Sequence, residues 1–305
     1  MQNNHPYTQP MEPWPGLKSF GKKVHLLKPE LDLFVFDSGG IQKPALVMIH
    51  GLGDEADTWR HVFSPLSEHF HTIAVDLPGF GRSDKPALNY TPDFMQSAIM
   101  AVLETLQIQS VILMGSSLGA ILAHSLALTH PEKVSGLILV DGGLLHTTRI
   151  GDRSLSLMAV PLLGEWFYTH LRKNPQAAFD SLKSVYRDLD ALPKADQEFL
   201  FTRVNQRVWS NGQRRAYFST LRKLAPWVLK AQDGLKERLS HLQTPTLVIR
   251  GEEDGLFSEE YAHAIIQSQP NANLATLPGT GHLPQQEDPQ AFLKTVLDWL
   301  PNNRP

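Results

Sequence analysis

Ser117 stands in Gly115-Ser116-Ser117-Leu118-Gly119, directly after the apolar run Val111-Ile112-Leu113-Met114 and before the helix-like Ile121-Leu122-Ala123-His124-Ser125-Leu126-Ala127-Leu128. A serine at a sharp strand-to-helix turn must take a strained backbone conformation to lift its hydroxyl clear of the sheet. Glycine two residues to either side removes the Cβ atoms that would otherwise clash. The next N–H, that of Leu118, then lies at a helix N-terminus, where it can help to hold a developing oxyanion. Such a serine is a nucleophile. A chain of this length shows the five-residue pattern by chance with a probability of roughly 0.1, so the motif needs partners before it decides anything.

Those partners are a base, a group that orients the base, and a second oxyanion donor. Among thirteen histidines, His282 is the candidate base. It follows the strand-like Leu274-Ala275-Thr276-Leu277 through Pro278-Gly279-Thr280-Gly281, which sets an imidazole on a glycine-flexed loop at the carboxyl end of a strand. His124 reads as a core or surface residue, and His61, His69 and His71 flank an early helix and strand. For the acid, Asp254 is preferred in Arg250-Gly251-Glu252-Glu253-Asp254-Gly255, because the loop has cleared its strand by then and Gly255 permits a turn. Glu252 and Glu253 read as solvated charges, and Asp141, after the preceding strand, is the rival. His50-Gly51-Leu52-Gly53 is the second donor loop, with the Leu52 N–H directed inward. It has no Gly-Lys-Ser/Thr element, so a phosphate-binding reading fails.

Short apolar runs alternating with helical patterns imply βαβ units and a mostly parallel sheet that carries these residues at its strand ends. Strands are expected over Lys23–Leu27, Leu31–Phe36, Ala45–Ile49, Thr72–Val75, Val111–Met114, Gly136–Val140, Thr246–Ile249 and Asn273–Leu277. Helices are expected after an N-cap at Asp57 or Thr58, over Thr91–Leu106, after Ser117, over Ser258–Ser268, and from Asp288-Pro289 to about Trp299. From about Leu144 to Leu242 only helical patterns occur. A helical insert there is expected to cap the carboxyl ends of the strands, where ligands bind in such sheets. Residues 1–20, beginning with a stretch rich in Asn, Gln and Pro, read as a loose arm; 21–143 with 243–305 form the core and 144–242 the cap.

Composition narrows the function. The 305 residues are 42% hydrophobic and 19% charged, with a net charge of −3 and no cysteine. That balance excludes a basic nucleic-acid footprint, and without cysteine there is no disulfide framework, thiol nucleophile or cysteine-ligated metal. The start of the chain lacks a secretory pattern, and the apolar segment Leu155–Leu171 is interrupted by Pro161, Gly164 and Glu165, so neither export nor membrane insertion is expected; the default location is the cytoplasm.

Taken in order, His50-Gly51-Leu52-Gly53, Asp76-Leu77-Pro78-Gly79-Phe80-Gly81-Arg82-Ser83, Gly115-Ser116-Ser117-Leu118-Gly119, Gly251-Glu252-Glu253-Asp254 and Gly279-Thr280-Gly281-His282 resemble the α/β-hydrolase superfamily from about Lys22 onward, in its capped carboxylesterase and C–C hydrolase branch. The resemblance implies an eight-stranded sheet whose second strand is antiparallel, and a helical cap after the sixth strand. It also implies no cofactor. The expected chemistry is hydrolysis, without a metal, of carboxylic esters of small to medium, largely apolar substrates through an acyl-enzyme on Ser117. It assigns the Asp76–Ser83 segment a structural turn rather than chemistry. Haloalkane dehalogenases and epoxide hydrolases of the superfamily have aspartate where Ser117 stands. C–C hydrolases often carry tryptophan after the histidine, where this chain has Leu283, and N-terminal-trimming peptidase relatives often have tryptophan where it has Ser116. Cofactor-free haloperoxidases share the triad; non-catalytic receptors on this fold commonly lose one member of it. In the cap, Leu155, Met158, Leu162, Leu163, Trp166 and Phe167 form an apolar stripe that reads first as packing. Leu163, Trp166 and Leu283 are the candidates for touching substrate. Arg214-Arg215 and Arg222-Lys223 read as a solvated face.

Overall fold

The computed structural model describes residues 5–144 and 158–300. Eight strands form one sheet: β1 (Gly21–Leu27), β2 (Glu30–Asp37), β3 (Ala45–Ile49), β4 (His71–Val75), β5 (Val111–Ser116), β6 (Val134–Val140), β7 (Thr246–Gly251) and β8 (Ala272–Leu277). Their spatial order is β1-β2-β4-β3-β5-β6-β7-β8. β2 runs antiparallel to both β1 and β4, and every pair from β4 to β8 is parallel. Parallel pairing demands a crossover between strands, and the helices that supply it cover both faces.

The central strands are therefore apolar at most positions, and their side chains divide between two cores with the period of two that a strand imposes. Val47, Ile49, Val111, Leu113, Leu137 and Leu139 join one core. Leu46, Met48, Ile112, Met114, Ile138 and Val140 join the other. Over the first face lie α2 (Pro92–Thr105), capped by the Thr91 hydroxyl accepting from the Phe94 N–H, and α3 (Leu118–Thr129). The second face receives α11 (Pro289–Trp299), where Asp288 caps the Ala291 N–H; Phe292, Val296 and Trp299 are buried there.

One local expectation fails. Asp57 and Thr58 do not cap an α-helix: residues Ala56–Trp59 form a 3-10 turn, followed by the short α1 (Phe63–Ser67). The Asp57 carboxylate is used elsewhere, accepting the Trp14 N–H at 2.7 Å and pairing with Arg82 at 2.5 Å. The described part of the N-terminal arm, residues 5–20, is held in place. Leu17 is fully buried, His5 stacks on Trp209 with ring centroids 3.7 Å apart, and Arg203 and Gln206 donate to the carbonyls of Glu12 and Gln9. The arm is short of apolar residues but rich in backbone acceptors, and those acceptors fasten it.

Between β6 and β7 the described residues hold no strand. They form α4 (Leu163–His170), α5 (Pro175–Asp180), α6 (Lys194–Trp209), α7 (Asn211–Ala231) and α8 (Leu235–Ser240), with 3-10 turns between them. A separate apolar cluster including Phe179, Tyr186, Leu200, Val204 and Val208 holds this insert together. Leu155, part of the expected apolar stripe, lies outside the described residues. No helix among the described residues is long and apolar enough to cross a membrane.

Candidate active site

Ser117 has φ 54° and ψ −113°, a conformation that a non-glycine residue takes only under strain, of order 1–3 kcal/mol. The glycines around it are forced by contact. A Cβ on Gly115 would lie 2.2 Å from the Gly119 carbonyl oxygen, and one on Gly119 would lie 2.1 Å from the Ile49 oxygen. The turn thus seats the start of α3 directly on β5 and β3. The first-turn N–H groups of α3, beginning with Leu118, have no intrahelical acceptor. Gly51 lies over the serine, since a Cβ there would stand 3.3 Å from the Ser117 Cβ. The Gly142 backbone presses from the other side, where a Cβ would be 3.0 Å from the Ser117 Cα.

The His50–Gly53 loop is fixed by a two-sided imidazole. His50 Nε2 accepts the Leu77 N–H at 3.0 Å, which leaves Nδ1 to donate to the Gly51 carbonyl at 2.7 Å. Farther along, Asp76 accepts the Ala56 N–H at 2.7 Å and the Arg82 Nε at 2.9 Å, while the Ser83 hydroxyl donates back to the Asp76 carbonyl. Burial works against the Asp76 charge, but Arg82 more than offsets it and holds the carboxyl below its ordinary range. The Asp76–Ser83 segment is a ring of hydrogen bonds around one carboxylate, as a structural turn would be.

The structure brings His282 and Asp254 into direct contact. Nδ1 of His282 lies 2.7 Å from Asp254 Oδ2, and Asp254 Oδ1 accepts the Leu256 N–H at 2.7 Å. Burial pushes the Asp254 carboxyl up, but the hydrogen bonds from His282, Asp141 and Leu256, with the His282 charge, bring it below its ordinary value. Asp141 has the opposite balance. It is buried, its Oδ1 accepts the Gly251 N–H at 3.0 Å, and its Oδ2 meets no donor. Burial and then the Asp254 charge drive its pKa well above the usual carboxylate range. Two carboxylates so close cannot both ionise, and the one that directly faces the imidazole keeps the charge. The neutral form of Asp141 is therefore favoured, in which the otherwise unpartnered Oδ2 can donate to Asp254. Asp141, Asp254 and His282 bring donor atoms within 4.8 Å of one another and are the one group among the described residues with such a clustering. Within it, His282 and Asp254 are bonded directly at 2.7 Å.

Sequence reasoning missed the groups that hold these loops. Glu287 bridges them: its Oε1 accepts the Gly281 N–H at 2.9 Å and the Leu283 N–H at 3.4 Å, flanking His282, and its Oε2 accepts the Arg187 N–H of the insert at 2.8 Å. The His282 N–H itself donates to the Val185 carbonyl of the insert at 3.1 Å. On the other side, Arg207 of α6 grips both Glu55 oxygens at 2.7 Å and also donates to Asp54, while Arg203 reaches Glu55 at 3.1 Å. Gln213 donates to the Gly53 carbonyl, and the Tyr217 ring lies 3.1 Å from where a Gly53 Cβ would be. The insert thus holds both the His50–Gly53 loop and the His282 loop. The contacts of Arg203, Arg207 and Gln213 join residues about 150 positions apart and those of Val185 and Arg187 about a hundred, and no local pattern signals them.

The three expected substrate-contacting residues fare differently. Leu283 follows His282 and is half-buried against the apolar cluster of the insert. Leu163 is half-buried at the start of α4. Trp166, on α4, is 53% exposed and lies beside Phe167 and His170. Arg222 is also no merely solvated cation, since it clasps Glu165 through two bonds of 2.7 and 2.8 Å.

The alpha/beta hydrolase fold family matches residues 44–289, which is most of the chain. The chain belongs to that family. It is 27% identical over 294 residues to a 2-hydroxy-6-oxononadienedioate/2-hydroxy-6-oxononatrienedioate hydrolase of Burkholderia vietnamiensis, covering 92% of this chain and 95% of that one. It is 28% identical over 261 residues to a pimeloyl-[acyl-carrier protein] methyl ester esterase of Yersinia enterocolitica, covering 83% and 92%. Among solved structures, the 2-hydroxy-6-oxo-6-phenylhexa-2,4-dienoate hydrolase of a Rhodococcus species superposes with a TM-score of 0.75 at 19% identity, over 91% of this chain and 98% of that one, a likeness of fold.

Proposed function

We propose that the protein is a serine hydrolase that cleaves carboxylic esters of small to medium, largely apolar substrates through an acyl-enzyme. The observation that carries the reading is the buried 2.7 Å contact between His282 and Asp254, set at the same end of the sheet as a serine held at φ 54°. In this reading Ser117 Oγ attacks the ester carbonyl and His282 Nε2 takes its proton. Asp254 fixes the Nδ1–H tautomer and stabilises the imidazolium. The backbone N–H groups of Leu52 and Leu118 hold the oxyanion; His282 then protonates the departing alcohol. Water repeats the sequence on the acyl-enzyme and releases the acid.

The helical insert acts as the cap in this scheme and leaves a mainly apolar approach to the serine, with Leu163 and Leu283 as lining candidates. Turnover of p-nitrophenyl esters of graded acyl length tests the reading. Short and medium esters should be hydrolysed by the wild type and not by Ser117→Ala. Failure to hydrolyse any ester would overturn it.

A second reading has a specific source, because several relatives are named as hydrolases of 2-hydroxy-6-oxononadienedioate or of 2-hydroxy-6-oxo-6-phenylhexa-2,4-dienoate. The same Ser117, His282 and Asp254 would then serve hydrolytic C–C cleavage. Cleavage of a 2-hydroxy-6-oxo-dienoate faster than of any ester would favour that reading over esterase action.

A further inference from the structure

The outer face of the insert combines two features that neither the fold nor the proposed chemistry uses. Along α4 and the residues before it, large apolar side chains stand in solvent: Leu162 is 84% exposed, Trp166 53%, Val160 45% and Phe167 40%. Apolar exposure scattered singly is ordinary, but a run of protruding residues that includes tryptophan is the composition of an interaction site.

The second feature is charge. Beside α4 runs α7, whose 21 residues contain Arg214, Arg215, Arg222, Lys223 and Lys230 and no carboxylate, in a protein of net charge −3. The two helices are joined by Arg222, which clasps Glu165 and donates to the Ala159 carbonyl, and by Arg214, which donates to the Thr169 hydroxyl at 2.9 Å. Among the described residues Glu165 is the sole acid lining the open cleft of about 830 Å³ at this junction, and Arg222 already pairs with it. Arg214 and Arg215 line the same cleft, where Arg214 donates to the Thr169 hydroxyl and Arg215 to the Lys85 carbonyl. The cations crowd one another: burial, then the Arg214 charge, pulls the Arg172 pKa down.

We propose that this face docks on an anionic lipid bilayer surface, with the Leu162–Phe167 ridge entering the interface and the cationic cleft receiving phosphate head groups. Protruding leucine, tryptophan and phenylalanine suit a fluid interface, where the indole ring settles at head-group depth. A protein partner would instead favour an apolar groove with fixed shape. Basic side chains beside the ridge select negatively charged lipid and make the attachment salt-sensitive. Binding of this kind is peripheral and does not depend on Ser117.

Co-sedimentation of the full chain with vesicles of phosphatidylglycerol and phosphatidylcholine tests the proposal, with vesicles of phosphatidylcholine alone and free inorganic phosphate as the other arms. The chain should bind the anionic vesicles at about 50 mM salt and lose most of that binding at about 300 mM, as screening predicts. Leu162→Ser/Phe167→Ala and Arg215→Glu/Lys223→Glu should each weaken binding by about tenfold or more. All four residues are exposed, so unchanged melting temperature and unchanged turnover of a soluble ester are expected in both variants. Ser117→Ala should bind as the wild type does, which separates this proposal from the esterase reading. No binding to anionic vesicles, equal binding to zwitterionic ones, or equal binding by the charge-reversed variant would overturn it. So would displacement from the vesicles by inorganic phosphate in a variant without the ridge as readily as in the wild type. Capture of an acidic soluble protein in place of vesicles would reassign the face and equally overturn the proposal.

Discussion

Asp141→Asn and Asp254→Asn should have opposite consequences, although the two carboxylates are buried side by side. Asp254 is charged and bonded to His282 Nδ1 at 2.7 Å; an amide in its place can present a donor to Nδ1 and stabilise the wrong tautomer. A loss of about 10^4 in kcat is expected, the size seen when a triad acid becomes its amide. Burial and the Asp254 charge raise the Asp141 pKa and so favour its neutral form, with Oδ1 accepting from Gly251 and Oδ2 available to donate to Asp254. Asparagine reproduces both roles, so kcat should stay within about threefold of wild type. Stability supplies the sharper readout. Because the folded pKa of Asp141 is raised, its contribution is fully present below the unfolded value, 3.8, and is lost as the pH rises toward the folded value. In that window folding takes up a proton, at about 1.4 kcal/mol per pH unit. Asp141→Asn removes this slope, so its urea-derived stability should gain on the wild type steadily as the pH rises above about 4. Both variants should be measured for ester turnover and for urea unfolding across that range. Equal loss of activity in the two variants, or parallel stability curves for wild type and Asp141→Asn, would refute the division of roles.

Arg207→Met leaves Glu55 and Asp54 without their main cation, and about 3–5 kcal/mol of stability should go with it. Because Glu55 follows the His50–Gly53 loop, kcat should fall more than KM rises, and Glu55→Gln added to Arg207→Met should recover much of the melting temperature; no recovery would mean that the pair is not the source of the loss. His124 is wholly buried, its pKa pulled down to about 3 by that burial, and its Nδ1 accepts the Leu144 N–H. The unfolded imidazole takes a proton below about 6.5 while the folded one does not, so stability should fall by about 2 kcal/mol between neutrality and pH 5 on this account alone. His124→Gln should flatten that acid limb in urea titrations. Glu287→Ala should raise the mobility of the Gly281–Leu283 backbone; amide exchange there faster than in the rest of the sheet is the expected signature, and unchanged exchange would remove Glu287 from the support of His282.

Much of this was legible from local chemistry. Gly115 and Gly119 flank Ser117 because the strand, the helix and β3 meet with no room for a Cβ, and a five-residue pattern is enough to announce that. Strand positions followed from uninterrupted apolar runs, and His282 and Asp254 from loops at strand ends. The misreadings came where distant contacts override local signals. Asp57 looks like a helix cap in isolation, but Trp14 and Arg82 claim its carboxylate. The N-terminal arm looks loose because its hold comes from Arg203 and Gln206, nearly two hundred residues away. The raised pKa of Asp141 depends on burial and on Asp254 across a strand boundary, which spacing along the chain does not encode.

The central claim is that Ser117 is an activated nucleophile. Treating the intact protein with a fluorophosphonate and mapping the adduct by mass spectrometry tests it directly. A single covalent adduct on Ser117 is expected, with ester turnover lost in step with labelling and labelling itself abolished in Ser117→Ala and His282→Ala. Absence of labelling, or an adduct on Ser116 or elsewhere that abolishes turnover, would contradict the account.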